Sequence, residues 1–532
     1  MSRRRASAVS NPVGASGLNG AVQLIDLVNT FDTVRATRSR KAKIAAVAAS
    51  LRLAADDEVF VVATYLSGSL TQRRTGVGWR SMTGLPAPAA APSLTVLEVD
   101  AAFETLAGVA GAGSQAERRR LLDALFGAAT ADEQALLRGL VTGEVRTGAL
   151  EGVLVEGIAT AFEVPSPVVR RAVMLAGSAP YAARAAADGG ADALAAIGLE
   201  VGRPVQPMLA SSAPDLAAAL AVTGLPCIVD GKLDGIRIQV HRIGDQVTVW
   251  SRSLDELTTR FPELVDLVRS LPADSLVLDG EALLVDEGGR PRSFQETASR
   301  SMTRSGSELV LTPYFFDVLH LDGRDLLDAP ATERLEVLAD LVPERHRVPR
   351  SIAGTAEQAS EFQSRVLDDG HEGVVVKSVD GAWEAGRRGS GWVKVKPRHT
   401  LDLVVLAVEW GSGRREGTLS NIHLGARDPD GATTGQHWVM LGKTFKGMTD
   451  EMLAWQTERF LELETSREGH VVHVRPEQVV EIAFDGLQRS TRYAGGLALR
   501  FARVLRYRHD KRADEADTID TVRSLARAAS EA

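Results

Sequence analysis

A lysine stands between two glycines in Val229-Asp230-Gly231-Lys232-Leu233-Asp234-Gly235-Ile236-Arg237. A short apolar run, residues 225–229, leads into it, and an alternating run of Ile236, Ile238 and Val240 leads away. The pattern predicts a tight turn between two strands, where backbone and phosphate can come close. A lysine amine becomes a nucleophile when burial or neighbouring cations lower its pKa. Arg237 is a nearby cation that could do this and could also hold a phosphate. A plain structural turn satisfies Lys-x-Asp-Gly equally well, so the weight falls on the residues downstream.

Five further groups lie downstream in order. Ser251-Arg252-Ser253 ends a hairpin and brings an arginine beside the lysine loop. Leu278-Asp279-Gly280-Glu281 closes an apolar run with a carboxylate. Tyr314-Phe315-Phe316-Asp317 alternates, so one ring faces the core and the other can stack on a purine. Glu372-Gly373-Val374-Val375-Val376-Lys377 begins with a carboxylate and ends with a cation. Trp392-Val393-Lys394-Val395-Lys396 puts Lys394 and Lys396 on one side of a strand. Singly, each has a structural reading: a solvated carboxylate, a core ring, an exposed basic face. In this order they suit one task. Cations hold a polyphosphate, carboxylates hold Mg²⁺, a ring stacks on a base, and a lysine attacks the α-phosphorus.

The elements that must position them come from the chain as a whole. Its 532 residues suggest two to four domains, and 44% hydrophobic with 24% charged residues is ordinary for globular cores. One cysteine, Cys227, excludes an internal disulfide and a four-cysteine zinc site. The basic start Met1-Ser2-Arg3-Arg4-Arg5 lacks the apolar segment of a secretory signal, and no membrane span is expected. A reducing cytoplasm fits. The net charge of −8 argues against a generic nucleic-acid coat but not against a local basic surface.

Residues 1–20, rich in Ser, Gly, Ala and Asn, read as a flexible tail. Residues 21–203 show helical spacing, as in Leu24, Leu27 and Val28, interrupted by a Pro/Ala loop at 86–92. Basic or polar residues gather at 38–43, 72–78 and 143–152, where glycine with Arg or Thr before a helix start suits phosphate. The alanine-rich stretch 181–200 reads as a linker or a last helix. Residues 204–396 mix strands and helices, with a hairpin signal at Ile243-Gly244-Asp245-Gln246. Residues 397–512 read as short strands around one helix, a small barrel of the OB type. Residues 513–532 read as a charged C-terminal tail, weakly helical toward its end.

The ordered set resembles the nucleotidyltransferase motifs of the ATP-dependent DNA ligases, whose superfamily also holds RNA ligases and capping enzymes. Lys232 matches motif I, Glu281 motif III, Phe316 the aromatic motif after it, residues 372–377 motif IV, and Lys394 with Lys396 motif V. The run 500–511, ending Arg508-His509-Asp510-Lys511, is similar to motif VI. The helical first third resembles the DNA-binding domain of the larger ligases, notably at 75–79 and 146–152, and the whole chain is most similar to three-domain ligases of high-GC actinobacteria.

The resemblance implies a multidomain α+β protein: an all-α DNA-binding domain, a mixed α/β nucleotidyltransferase (adenylation) domain and a C-terminal OB-fold β-barrel. It implies ATP and Mg²⁺ as cofactors, and nicked duplex DNA as the partner of a monomer in the cytoplasm, at the nucleoid. Lys232 would form a lysyl-AMP, pass AMP to the 5′-phosphate of a nick, and so prepare the strand for sealing in replication, repair or recombination. By the same resemblance Lys394, Lys396 and Arg388 serve phosphate, and Arg237 and Arg252 serve phosphate and ribose. Glu281 serves ribose or metal, Glu372 metal, and Arg73, Arg74, Arg146 and Gly148 DNA. Arg508 and Asp510 would act only in the first step, which requires the barrel to swing about a hinge at 396–401.

Asp230 stands where the family usually carries a glutamate that reads the adenine amino group. Its shorter side chain leaves three options: the loop moves in, a water intervenes, or the base contact weakens. An RNA-joining or capping enzyme would share the core, but the helical first third argues against it. A non-catalytic nick-binding scaffold would have no use for the lysine. Neither tail carries a convincing sliding-clamp peptide.

Overall fold

The structure is a computed structural model that describes residues 21–72, 74–145, 150–292, 294–302, 310–384, 388–397 and 399–531. It divides between Pro207 and Met208 into two compact units.

The first unit is helical. Along Leu24–Ala36 the residues Leu24, Leu27, Val28 and Phe31 recur at helical spacing and are buried. Val47, Ala48 and Leu51 do the same on Arg40–Leu53, and Phe103, Phe126, Leu137 and Ile158 extend this core through later helices. Thr95 starts Val96–Gly108 with a capping box: its hydroxyl accepts from the Glu98 N–H, and the Glu98 carboxylate accepts from the Thr95 N–H. Thr130 and Glu133 repeat the device on Ala131–Thr142.

Three features of this unit bear on the sequence expectations. The alanine-rich stretch is a core helix, Ala179–Ala195, kinked at Gly189 and Gly190, with Ala182 and Ala183 fully buried. Gly143 ends a helix rather than starting one: its left-handed backbone, φ 68°, closes Ala131–Thr142, a role that suits a residue without a Cβ. Gly78 precedes only the four-residue 3-10 turn Trp79–Met82. Arg74 is exposed, while Arg73, Arg146 and Gly148 lie outside the described residues.

Among the described residues the second unit holds two five-stranded sheets, a seven-stranded one and a two-stranded one, Gly486–Arg489 with Leu497–Arg500. In the first sheet the strand order is Leu209–Ser212, Arg388–Val395, Gly373–Ser378, Cys227–Lys232, Arg350–Ala353. Only the first pairing is parallel. In the second it is Gln246–Ser251, Ile236–Ile243, Ser275–Leu283, Thr312–Leu321, Arg324–Asp325, all antiparallel. The hairpin expected at 243–246 forms, with Gly244 at φ 54°. Lys232 ends a strand of the first sheet and Arg237 lies near the start of one in the second, so the lysine turn joins the two sheets.

The seven-stranded sheet is built on the long strand His399–Trp410, which pairs with Leu419–Arg427, Val471–Val474 and Val479–Phe484. The helix Asp450–Glu462 covers its core through Leu453 and Phe460. This is the OB-type domain. The chain after 512 is not a loose tail. The helix Ile519–Glu531 buries Ile519 and Val522 in the same core, and Asp517 exchanges two 2.8 Å hydrogen bonds with the backbone of Asp402. Ile519, Val522 and Leu525 keep helical spacing inside a charged stretch, and that apolar stripe is what holds the segment down.

Replacing Ile519 and Val522 together by alanine is therefore expected to destabilise the C-terminal domain by about 3–6 kcal/mol, at the usual cost of emptying buried aliphatic sites. Urea unfolding of the full chain checks this, and an unchanged transition would mean that the segment is a tail after all.

Candidate active site

A cleft of about 790 Å³ opens where the two sheets meet the C-terminal domain, and Lys232 lies in its wall. Lys232 pairs in register with Gly373, and the Glu372 N–H donates to the Lys232 carbonyl at 2.9 Å. Gly373 sits at φ 148°, and a Cβ there would collide with the Val395 carbonyl. Glycine thus lets the strands bearing Glu372 and Lys394 close on each other. The result is a shared carboxylate. One Glu372 oxygen accepts from the Lys232 ammonium and the other from the Lys396 ammonium. Lys232 also donates to the Leu233 carbonyl at 3.1 Å.

Burial pushes the Glu372 carboxyl up, but Lys232 and Lys396 outweigh it and hold the group below the ordinary range. Lys394 is pushed down by burial and then by the neighbouring Lys396 and Lys232. Arg252 also lines the cleft. Cations thus outnumber carboxylates at this end, which suits a polyphosphate.

At the other end Phe316 is half-buried in the wall while Phe315 is buried in the core, so the two rings divide as expected. Phe316 meets Trp392 edge-on at 5.7 Å. Lys377 lies 4.2 Å from the centre of the Trp392 ring. Beneath them Asp230 is buried and held by two cations: Arg350 grips it with a two-pronged hydrogen bond, and Lys377 lies 2.7 Å away. Burial works against the Asp230 anion, but Arg350 and Lys377 keep its pKa below the ordinary value.

Arg237 and Glu281 face each other across the second sheet. The Arg237 guanidinium is already engaged, donating to both oxygens of Asp279 at 3.0 and 2.7 Å and to the Met208 carbonyl at 2.6 Å. A role at phosphate or ribose is thus left to its remaining N–H groups. Glu281 accepts from the Gly235 N–H at 3.1 Å. Burial pushes its pKa up to about 7, against the pull of Lys232 and Arg237. Arg388 begins the strand Arg388–Val395, and its side chain lies outside the described residues.

The C-terminal domain reaches the cleft through residues other than the expected ones. Arg508 is tied to Asp402 at 2.8 Å and to Asp510 at 2.7 Å, and neither Arg508 nor Asp510 lines the cleft. Arg500 does, bonded to Asp234 at 2.8 Å, with Phe501, Arg503 and Lys446 beside it. Arg500 and Arg503 lie inside the run singled out from the sequence, so the run was visible but not which of its residues face the lysine. Arg350 carried no signal, and Asp279 was visible only as a neighbour of Glu281 in its motif. Each depends on a partner, Asp230 or Arg237, that only strand pairing brings near.

A lysine in a crowded cationic cleft between two sheets, with an OB-type domain beside it, defines a nucleotidyltransferase. Family models agree region by region: ATP dependent DNA ligase domain over residues 207–396, ATP dependent DNA ligase C terminal region over 415–511, and DNA ligase N terminus over 80–159. A curated probable DNA ligase of Nocardioides sp. is 65% identical over 514 residues, covering 96% of this chain and 100% of the relative. One of Mycobacterium marinum is 54% identical over 514 residues, covering 94% and 99%. Among solved structures, Pmar-Lig_PreS3 shares the fold with a TM-score of 0.61 at 18% identity, over 90% of this chain and 99% of that one. The chain belongs to the ATP-dependent DNA ligases. It is an enzyme, a DNA ligase that uses ATP to seal nicks in DNA. No described helix is long and apolar enough to cross a membrane.

The raised Glu281 pKa has a consequence for stability. An unfolded glutamate titrates near 4.5, so between that pH and about 7 the ligand-free fold holds a proton that the unfolded chain has lost. The stability this contributes is full below pH about 4.5 and disappears as pH rises through about 7. Glu281→Gln, which keeps the neutral form, is therefore expected to gain on the wild type by on the order of 2 kcal/mol between pH 5 and pH 8. Melting curves of both proteins across that range check it, and parallel curves would place the Glu281 pKa near its ordinary value.

Proposed function

We propose that Lys232 is the nucleophile and that the shared Glu372 sets its geometry. The observation that carries this reading is the single carboxylate held by Lys232 on one oxygen and Lys396 on the other. In the first step the Lys232 ammonium gives up one proton to solvent, and the Nζ lone pair of the neutral amine forms a bond to the α-phosphorus of ATP, with a second proton leaving as the N–P bond forms. The bond from that phosphorus to the bridging oxygen breaks, and pyrophosphate leaves. The second proton lost from Nζ has Glu372 as its nearest acceptor. In the second step an oxygen of the 5′-phosphate at a nick attacks the same phosphorus, the N–P bond breaks and the lysine regains its protons. In the third step the 3′-hydroxyl attacks the 5′-phosphorus and AMP departs. Negative charge grows on nonbridging oxygens in each step, so the chain contributes mainly position and cations. Lys394, Lys396 and Arg252 serve the phosphates, Phe316 stacks on the base, and Asp230 reads its edge.

The carboxylate set fits Mg²⁺. Among the described residues no group of three or more His, Cys, Asp or Glu is placed to hold a metal. Mg²⁺ takes one or two carboxylates and completes its shell with phosphate oxygens and water. Glu372 and Glu281 would hold it, and when bound it would offset charge on the phosphates. Arg508 and Asp510 would reach the cleft only after rotation of the C-terminal domain, which gives them a role in the first step alone. The substrate is nicked duplex DNA, met by a monomer at the chromosome, and exposed Arg74 belongs to its phosphate contacts.

Incubation with α-labelled ATP and Mg²⁺, then with a nicked duplex, tests the sequence of steps. Label should stay on the denatured protein and then chase into AMP as the strand is sealed. Lys232→Ala should lose labelling by at least about a thousandfold while still binding the nick, and a labelled Lys232→Ala protein would refute the assignment. Nick affinity should fall steeply with salt, on a log–log slope set by the phosphates contacted. A flat salt response would contradict backbone-led binding.

A further inference from the structure

The floor of the base end is a second charge cluster that the transfer chemistry does not use. Asp230 lies on the central strand Cys227–Lys232, directly opposite Arg350 on the edge strand Arg350–Ala353. The two strands are pinned beside this pair by the Gly231 N–H, which donates to the Pro349 carbonyl at 2.8 Å. The Arg350 Nε donates to Oδ1 of Asp230, and its Nη2 donates to Oδ2 at 2.9 Å. Lys377 takes Oδ2 as well, at 2.7 Å. A carboxylate offers about four acceptor positions, two to an oxygen. Oδ2 is therefore filled, and one position on Oδ1 remains.

Arg350 does something else at the same time. Its Nη2 also donates to the Phe316 carbonyl at 2.9 Å, and Lys377 lies 3.4 Å from that oxygen. One guanidinium thus fixes the acidic group beneath the cleft and the strand that carries the stacking ring. Asp230 and Phe316 both line the cleft, whereas Arg350 is held behind them.

We propose that Arg350 is a positioning residue for base selection. It holds Asp230 so that the one free acceptor position faces the base edge, and it holds Phe316 at a fixed height above that edge. A base offering an N–H donor there, the 6-amino group of adenine, completes the set. A base offering a carbonyl oxygen, as guanine or hypoxanthine does, meets a carboxylate whose cations are already engaged. The selection acts in the first step, because that is when the free nucleotide is chosen. The inference rests on the reading that this cleft takes ATP.

Formation of lysyl-AMP from ATP, and of lysyl-IMP from ITP, measured in the full chain for the wild type, Arg350→Met and Arg350→Lys, tests it. ITP differs at the position in question by carrying an oxygen in place of the amino group. The wild type should prefer ATP strongly. Arg350→Met should lose about tenfold of that preference, through a raised KM for ATP with kcat little changed, and Arg350→Lys should recover part of it. Because the preference is a ratio taken within one sample, a partly unfolded variant cannot imitate the effect. If Arg350→Met yields no folded protein, Arg350→Lys alone decides, since a single ammonium cannot grip both oxygens and should still relax the ratio. An unchanged ATP:ITP ratio in the folded variants, or a wild type indifferent between the two, overturns the proposal. A wild type that forms no adduct from ATP would instead overturn the ATP reading itself.

Discussion

Glu372 lies between two lysine ammonium groups, and the rest of the site depends on that arrangement. Lys232, Lys394 and Lys396 are crowded into one cleft with Arg252 close by. At an effective dielectric near 20, two like charges 4 Å apart repel by about 4 kcal/mol. One carboxylate relieves part of this and leaves an excess of positive charge. The excess suits a polyphosphate, and the carboxylate holds the Lys232 and Lys396 ammonium groups in place.

The two five-stranded sheets exist, in functional terms, to hold this cluster in register. Glu372 reaches Lys232 because their strands are neighbours and because Gly373 leaves room for the Val395 carbonyl. Gly235 does similar service beside Glu281, where a Cβ would press on the Ala282 carbonyl. Behind the stacking strand a fully buried arginine, Arg334, binds both oxygens of Asp317 at 2.7 and 3.1 Å. It also donates to the carbonyls of Ala329 and Gly381. Removing one member of such a pair strands a buried charge, so the aromatic wall is anchored from below as well as from the side.

The fold was legible to the extent that periodicity reports burial. Helical spacing in the first unit and alternation around Gly244 were direct signals, and both correspond to formed elements. The segment after 512 was legible as charged and weakly helical, but not as docked: only the fold shows Ile519, Val522 and Leu525 packing on the C-terminal core. Within the site, residues near the lysine or at strand ends could be picked out, since chemistry and position coincide there. The roles of Arg350 and Asp279 could not, because each depends on a partner some 120 or 42 residues away. Arg508 and Asp510 were expected by resemblance, yet the Asp402 carboxylate holds Arg508 away from the cleft in this arrangement.

The central claim is that, of the lysines crowded in this cleft, Lys232 takes the nucleotide because Glu372 holds it at the attacking position. The most direct measurement is peptide mapping by mass spectrometry of the protein after incubation with ATP and Mg²⁺, under alkaline conditions that preserve the phosphoramidate. The account predicts an AMP adduct on the peptide containing Lys232 and none on the peptides containing Lys377, Lys394 or Lys396. An adduct on Lys394 or Lys396 would contradict it, because the lysine assigned to phosphate binding would then be the one that reacts.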